Sequence, residues 1–200
     1  MSVRTPQIFV SHSQYDKGIR KDFSEIFAIA GIMPKYMEFE KIFPPAWKKI
    51  KEQIQRSEAV FLLLGSNIRK SYFTENWVAF EVGLACAFGK EVWVFEPMNL
   101  NINFPIPYVT DYMPYNLEIQ EHFDYVRTVM ESYRNLIPLL PLGVEGRNKR
   151  HVPTGIITDC PHANCQLKFH LHVHVPSLYC PSCRQFVPLS EEEQNNSPYP

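Results

Sequence analysis

Four of the chain's five cysteines crowd its last fifth, as Cys160-x4-Cys165, fourteen intervening residues, then Cys180-x2-Cys183. Paired cysteines at such spacing bend the chain so that two thiolates of each pair face one ion, the arrangement of a tetrahedral zinc site. Four ligands close a structural zinc and leave no open position for chemistry. His162, between the first two cysteines, is an alternative ligand. Between the pairs, Phe169, Leu171, Val173 and Val175 alternate with His170, His172 and His174, so a strand would carry three imidazoles on one face, as a second metal site or as a solvated surface. The odd total and the clustering argue for metal ligation over a disulfide framework. Cys86, among Val82, Ala85 and Phe88, reads as a small buried hydrophobe.

A second constellation is Trp77 and Glu81, four residues apart on a predicted helix and therefore on one face. An indole there can stack on a flat heterocycle while the carboxylate reaches its sugar. The plainer alternative is a solvated glutamate, with Trp77, Phe80 and Leu84 as ordinary packing.

These residues must be positioned by the elements before and after them. Ile8 to Val10 is a short apolar run. A polar turn, Ser11 to Asp16, follows it and leads into apolar residues at Ile19, Phe23, Ile26, Phe27 and Ala30, closed by Gly31. That is strand, loop and amphipathic helix with a glycine C-cap. Lys35 to Phe39 predicts a second strand, and Trp47, Ile50 and Ile54 mark the buried stripe of a second helix. Ala59 to Leu64 is apolar without alternation, the mark of a strand covered on both faces. A helix over about 74–88, a strand over 91–95, a short strand at 108–112 and a last helix complete the pattern. The expected fold is α/β, a doubly wound, mostly parallel five-stranded flavodoxin-like sheet over residues 1–144, a linker at 145–153, a small C-terminal zinc ribbon over 154–189, and a disordered tail at 190–200. The ribbon is too small to bury a core of its own, so metal removal should unfold it and leave the α/β core intact.

In an open parallel sheet the ligand site lies at the carboxyl ends of the strands. That edge would present Ser11, His12, Ser13 and Asp16, then Glu38 or Glu40 as ribose contacts and Phe43 and Trp47 as aromatic contacts of the second loop. Ser13 and Asp16 also suit a plain helix cap. The chain is 45% hydrophobic and 20% charged with a formal net charge of -1, a globular composition without the basic field of a nucleic-acid partner. The ribbon segment carries balanced charge, and no apolar run approaches a membrane span. With no secretory leader read at the start, the expected compartment is the cytoplasm.

The motifs in their order resemble the Toll/interleukin-1 receptor (TIR) domain family, in particular its NAD-cleaving prokaryotic-type members. They are Ile8-Phe-Val-Ser-His-Ser-x-x-Asp16, the Phe43-Pro-Pro-Ala-Trp47 loop, Leu64-Gly-Ser-Asn67 and Trp77-x-x-x-Glu81. The resemblance covers residues 7 to about 97 well, 98–144 loosely and the ribbon not at all. Where the family's loop usually has a Pro-Gly step, this chain has Pro44-Pro45. The resemblance implies an NAD+ glycohydrolase in which Glu81 is catalytic and Trp77, Ser11, His12, Ser13, Glu40, Phe43 and Trp47 contact substrate. Nicotinamide and ADP-ribose, or a cyclic ADP-ribose isomer, would be the products, in stress or antiviral defence signalling. It also implies self-association through TIR surfaces and an activating ligand or protein. A non-catalytic TIR scaffold and a nucleoside deoxyribosyltransferase-like enzyme are the alternative functions.

Overall fold

The computed structural model describes residues 5–37, 46–98, 100, 102, 111–136, 156–165, 168–171, 177–180, 183 and 185–188. Strands and helices alternate in the first part of the chain: β1 (Gln7–His12), α1 (Lys17–Ala30), β2 (Met33–Tyr36), α2 (Ala46–Arg56), β3 (Ala59–Leu63), α3 (Tyr72–Ala87), β4 (Glu91–Pro97), β5 (Asp111–Tyr115) and α4 (Gln120–Leu136). A 3₁₀ turn, Ile68–Lys70, precedes α3. The first five strands run parallel in the order β2-β1-β3-β4-β5, as a doubly wound sheet requires.

Alternation along each strand supplies both faces of this sheet. Ile8, Val10, Phe61, Leu63, Trp93, Phe95, Met113 and Tyr115 pack under α1 and α4 with Phe23, Phe27, Val126 and Met130. Phe9, Val60, Leu62, Val92 and Val94 pack under α2 and α3 with Ile50, Ile54, Val78 and Val82. Every residue of β3 is buried, which is why its sequence shows no polar alternation. Gly31 ends α1 at φ 67°, a left-handed conformation that favours glycine, and hydrogen bonds from Gly31 N to Ala28 O and from Ile32 N to Phe27 O close the helix.

Three boundaries differ from expectation. The second strand starts at Met33, because Ile32 N already bonds back to α1 and Met33 N donates to Pro6 O, leaving no room for a longer turn. The fifth spans Asp111–Tyr115, a position set by parallel pairing of Trp93 with Asp111 through Pro97 with Tyr115. The third helix begins two residues early, at Tyr72, directly after the 3₁₀ turn.

The sheet continues beyond β5. The C-terminal strands are β6 (Ile156–Asp159), β7 (Lys168–Leu171), β8 (Ser177–Tyr179) and β9 (Phe186–Pro188). The first two form an antiparallel pair of their own, whereas β8 joins β5 antiparallel at Tyr112 and Tyr179 and carries β9 on its outer side. An edge strand of the α/β sheet is thereby covered, which satisfies backbone groups that would otherwise stand open. Cys160, Cys180 and Val187 are buried in the same core cluster as Met113 and Tyr115. The expected linker and tail lie outside the described residues, as do His172 and His174.

Candidate functional site

Glu81 is placed by helical arithmetic. The buried stripe of α3 comprises Val78, Glu81, Val82 and Ala85, so a carboxylate occupies a position where the spacing calls for an apolar side chain. It is only 5% exposed, which sets aside the ordinary solvated glutamate. Ser11 is placed by strand arithmetic: it shares the face of Phe9, the face toward α2 and α3, and is itself buried near the carboxyl end of β1. The two meet there, with Ser11 Oγ donating to Glu81 Oε2 at 2.5 Å. Burial pushes the Glu81 carboxyl up to about 7, against the opposing pull of the Ser11 hydrogen bond.

Glu81 opens on a cavity of about 960 Å³. Trp77 and Phe73 of α3 and Tyr15 of the first loop form its aromatic walls, His12 and Gln14 its strand end, and Lys17, Arg20 and Lys21 of α1 its far side. Trp77 meets Phe80 edge-on at 5.5 Å, which orients the indole. His12 Nδ1 lies 2.9 Å from Ser13 O, and its ring packs edge-on to Tyr36 at 5.5 Å. A volume of this size accommodates a nucleotide-sized molecule.

The first loop is held against the third strand's loop. Ser13 is fully buried, donates to Asn67 O at 3.4 Å and accepts from Tyr15 N at 3.2 Å. It does not line the cavity. Asp16 makes no side-chain cap on α1; its Oδ1 instead accepts from Asn67 Nδ2 at 2.7 Å and Asn67 N at 3.3 Å. Only glycine fits at Gly65, since a Cβ there would run into the Asp16 carboxylate and Ile19. The expected cap thus gives way to a tie between two loops, which fixes where α1 starts.

Trp47 is 42% exposed and lies outside the large cavity. With Phe73, Asn76, Trp77 and Phe80 it borders a second, apolar hollow of about 470 Å³. Glu38, Glu40 and Phe43 lie outside the described residues. The sequence reading missed Tyr15, Phe73 and above all the cations of α1. Their signal was present as charge at positions 17, 20 and 21, one helical stripe leading away from the first loop.

The four cysteine sulfurs lie within 4.8 Å of one another and can hold a metal ion such as zinc. Cys160 and Cys183 Sγ are 3.6 Å apart and Cys165 and Cys180 Sγ 3.5 Å, close to the ~3.8 Å edge of a tetrahedron built on Zn–S bonds of about 2.3 Å. His162 is not part of this group; its carbonyl accepts from Cys165 N at 2.9 Å, forming the knuckle turn. Cys86 is half-buried on the α2 and α3 side, and burial pushes its thiol up. Among the described residues no helix is long and apolar enough to cross a membrane.

No family model matches the chain, and no curated protein matches it. Among solved structures it is similar to the Clostridium botulinum CMP N-glycosidase, at 17% identity and a TM-score of 0.41, over 60% of this chain and 96% of that one. It is also similar to the glutaminase domain of Trypanosoma brucei CTPS with bound acivicin, at 9% identity and a TM-score of 0.33, over 46% of this chain and 36% of that one. Neither is a TIR domain, so the TIR resemblance rests on its sequence motifs, and neither likeness bears on the chemistry of the cavity.

Proposed function

We propose that the chain cleaves an N-glycosidic bond, with NAD+ as substrate, releasing nicotinamide and leaving ADP-ribose when water captures the ribosyl carbon or a cyclic isomer when adenine does, in the stress or antiviral signalling that the TIR resemblance implies. The observation that carries this reading is a single buried carboxylate, Glu81, held by Ser11 at the floor of a nucleotide-sized cavity and flanked by Trp77. Most glycosidases need a second carboxyl group as general acid, because an alkoxide is a poor leaving group. Nicotinamide departs as a neutral molecule from a cationic ring nitrogen, which takes the electron pair of the breaking bond. No proton need be delivered. The site must supply negative charge beside the developing oxocarbenium carbon and a wall against which the flat ring stacks, and Glu81 and Trp77 suit these two tasks. Water then attacks the same carbon and loses a proton, giving ADP-ribose. Attack by the adenine of the same molecule gives a cyclic isomer.

Incubation with NAD+, with nucleoside monophosphates and with deoxynucleosides, followed by chromatography for the free base, tests the reading. Nicotinamide from NAD+ is the expected result. Release of base from deoxynucleosides alone would point to the deoxyribosyltransferase-like alternative. A specific observation favours the interaction-module alternative as well: Phe73 is 76% exposed beside Trp47 and Phe80, an aromatic face suited to a second copy of the chain. No release from any substrate, with that face mediating self-association, would support it.

The rate should also follow the ionisation of Glu81. Only the carboxylate stabilises a cationic transition state, and its pKa is raised to about 7, so kcat/KM for NAD+ is expected to rise with pH through that value and level off above it. Ser11→Ala removes a hydrogen bond that favours the charged form, so the midpoint should move upward and the rate at pH 7 fall about tenfold, recovering in part at higher pH. An unshifted pH profile would mean that Ser11 does not tune this carboxylate.

A further inference from the structure

The far wall of the cavity carries positive charge that Glu81 does not use. Lys17, Arg20 and Lys21 recur on one face of α1, and all three line the cavity. Arg20 is fixed in that wall: its guanidinium carbon lies 4.5 Å over the Tyr36 ring, whose hydroxyl is 2.8 Å from Ser24 Oγ on the next turn of the same stripe. Lys17 and Lys21 are exposed, and among the described residues neither forms an ion pair. Glu81 is the only carboxylate among the described residues that line the cavity. The first turn of α1 holds no acidic residue. Like charges at this spacing destabilise a helix, and cations at its start oppose its dipole. Asp16 before the helix and Glu25 one turn after Lys21 offset these penalties in part, and a bound anion would relieve the remainder at Lys17 and Lys21.

We propose that Lys17, Arg20 and Lys21 form a phosphate subsite, so that the substrate is a phosphorylated nucleoside whose anionic end lies along α1 while its glycosidic bond lies against Glu81. The second half of this statement rests on the glycosidic reading above; the subsite itself does not. Arginine offers a planar fork that matches two phosphate oxygens, and lysines act as point charges beside it. With cations on one wall and a carboxylate at the floor, a molecule with an anionic diphosphate and a cationic ring binds in one orientation only. An unphosphorylated nucleoside brings no anion to Lys17 and Lys21 and loses that discrimination.

The direct test is calorimetric titration of the full chain with inorganic pyrophosphate at low and moderate salt. Wild type is expected to bind, more weakly as salt rises. Lys17→Gln with Lys21→Gln should bind at least tenfold more weakly, and Glu81→Gln at least as tightly as wild type because a nearby negative charge is gone. No binding by wild type, or equal binding by the double lysine variant, overturns the subsite. Both lysines are exposed and their charges oppose the helix start, so the double variant should fold and melt no lower than wild type. A companion measurement compares kcat/KM for NAD+ with that for nicotinamide riboside, which lacks the diphosphate. The preference for NAD+ should fall at least tenfold in the double variant, and an unchanged preference also overturns the assignment. Pyrophosphate binding with no base released from any nucleotide would leave the subsite standing and remove the glycosidic reading.

Discussion

Glu81→Gln is expected to slow nicotinamide release by about a hundredfold or more and at the same time to raise thermal stability at neutral pH. The two effects have one cause. Glu81 sits in the buried stripe of α3 with Ser11 as its hydrogen-bond donor, and burial raises its carboxyl to about 7. A carboxyl whose pKa is higher in the folded than in the unfolded chain loses stability as pH climbs from the ordinary carboxylate range to the folded value, and the full cost remains above it. Glutamine has the same shape, can accept from Ser11 through its amide oxygen and carries no charge to bury. The variant should therefore gain about 2 kcal/mol at pH 8, on the order of 5 °C in melting temperature, and little at pH 4. Losing an oriented negative charge beside a cationic transition state should lower the rate by about a hundredfold or more. Differential scanning calorimetry at the two pH values, with a nicotinamide assay alongside, checks both. A folded variant with near wild-type turnover would exclude Glu81 as the essential group, and a destabilised one at pH 8 would make it a structural residue.

Removing metal from the four-cysteine site is expected to destabilise the whole chain and not the C-terminal segment alone. Sequence alone predicts an independent ribbon that unfolds while the α/β core survives. The structure couples the two, because β8 pairs with β5 and Cys160, Cys180 and Val187 are buried with Met113, Tyr115 and Val126. Tyr115 also donates to Leu64 O at 3.3 Å, beside Gly65 and the loop tie at Asp16. A structural zinc contributes on the order of 10 kcal/mol to the segment it closes, and losing it would detach β8, open the β5 edge and uncover one end of the α1 and α4 core. Metal analysis should find about one zinc per chain. Chelation under reducing conditions should then lower the melting temperature of the cooperative transition by about 10 °C or more. A ribbon transition that disappears while the main transition stays in place would show that the two parts fold separately, and absence of zinc under chelator-free reducing conditions would refute the metal site.

Much of this protein is written in local pattern. Short apolar runs, polar turns and helical stripes repeat in the order that a parallel sheet demands, Gly31 stands where a left-handed cap is needed, and Ala59–Leu63 has the unbroken apolar character of a central strand. These features depend on neighbours a few residues away, so the chain alone determines them. The cysteine spacing is of the same kind, since each pair needs only its own turn. Helical spacing likewise puts Trp77 and Glu81 on one face without any knowledge of what lies opposite.

What lies opposite was decided by tertiary structure. Ser11 and Glu81 are seventy positions apart, and only the pleat of β1 against the buried stripe of α3 brings them to hydrogen-bonding distance and raises the carboxyl. Asp16 and Ser13 had the right types for a helix cap, but Asn67, fifty-one positions from Asp16, competes for the Asp16 side chain once Gly65 lets the two loops touch. The cationic stripe of α1 is ordinary surface in sequence and becomes one wall of a cavity only when α3 closes the other side. The pairing of β8 with β5 has no local signature at all, because a strand's partner is set by which open edge it can reach and cover. Sequence therefore determined the elements and the types of chemical groups on them, and long-range packing determined which groups share a low-dielectric space, the condition on which their reactivity depends.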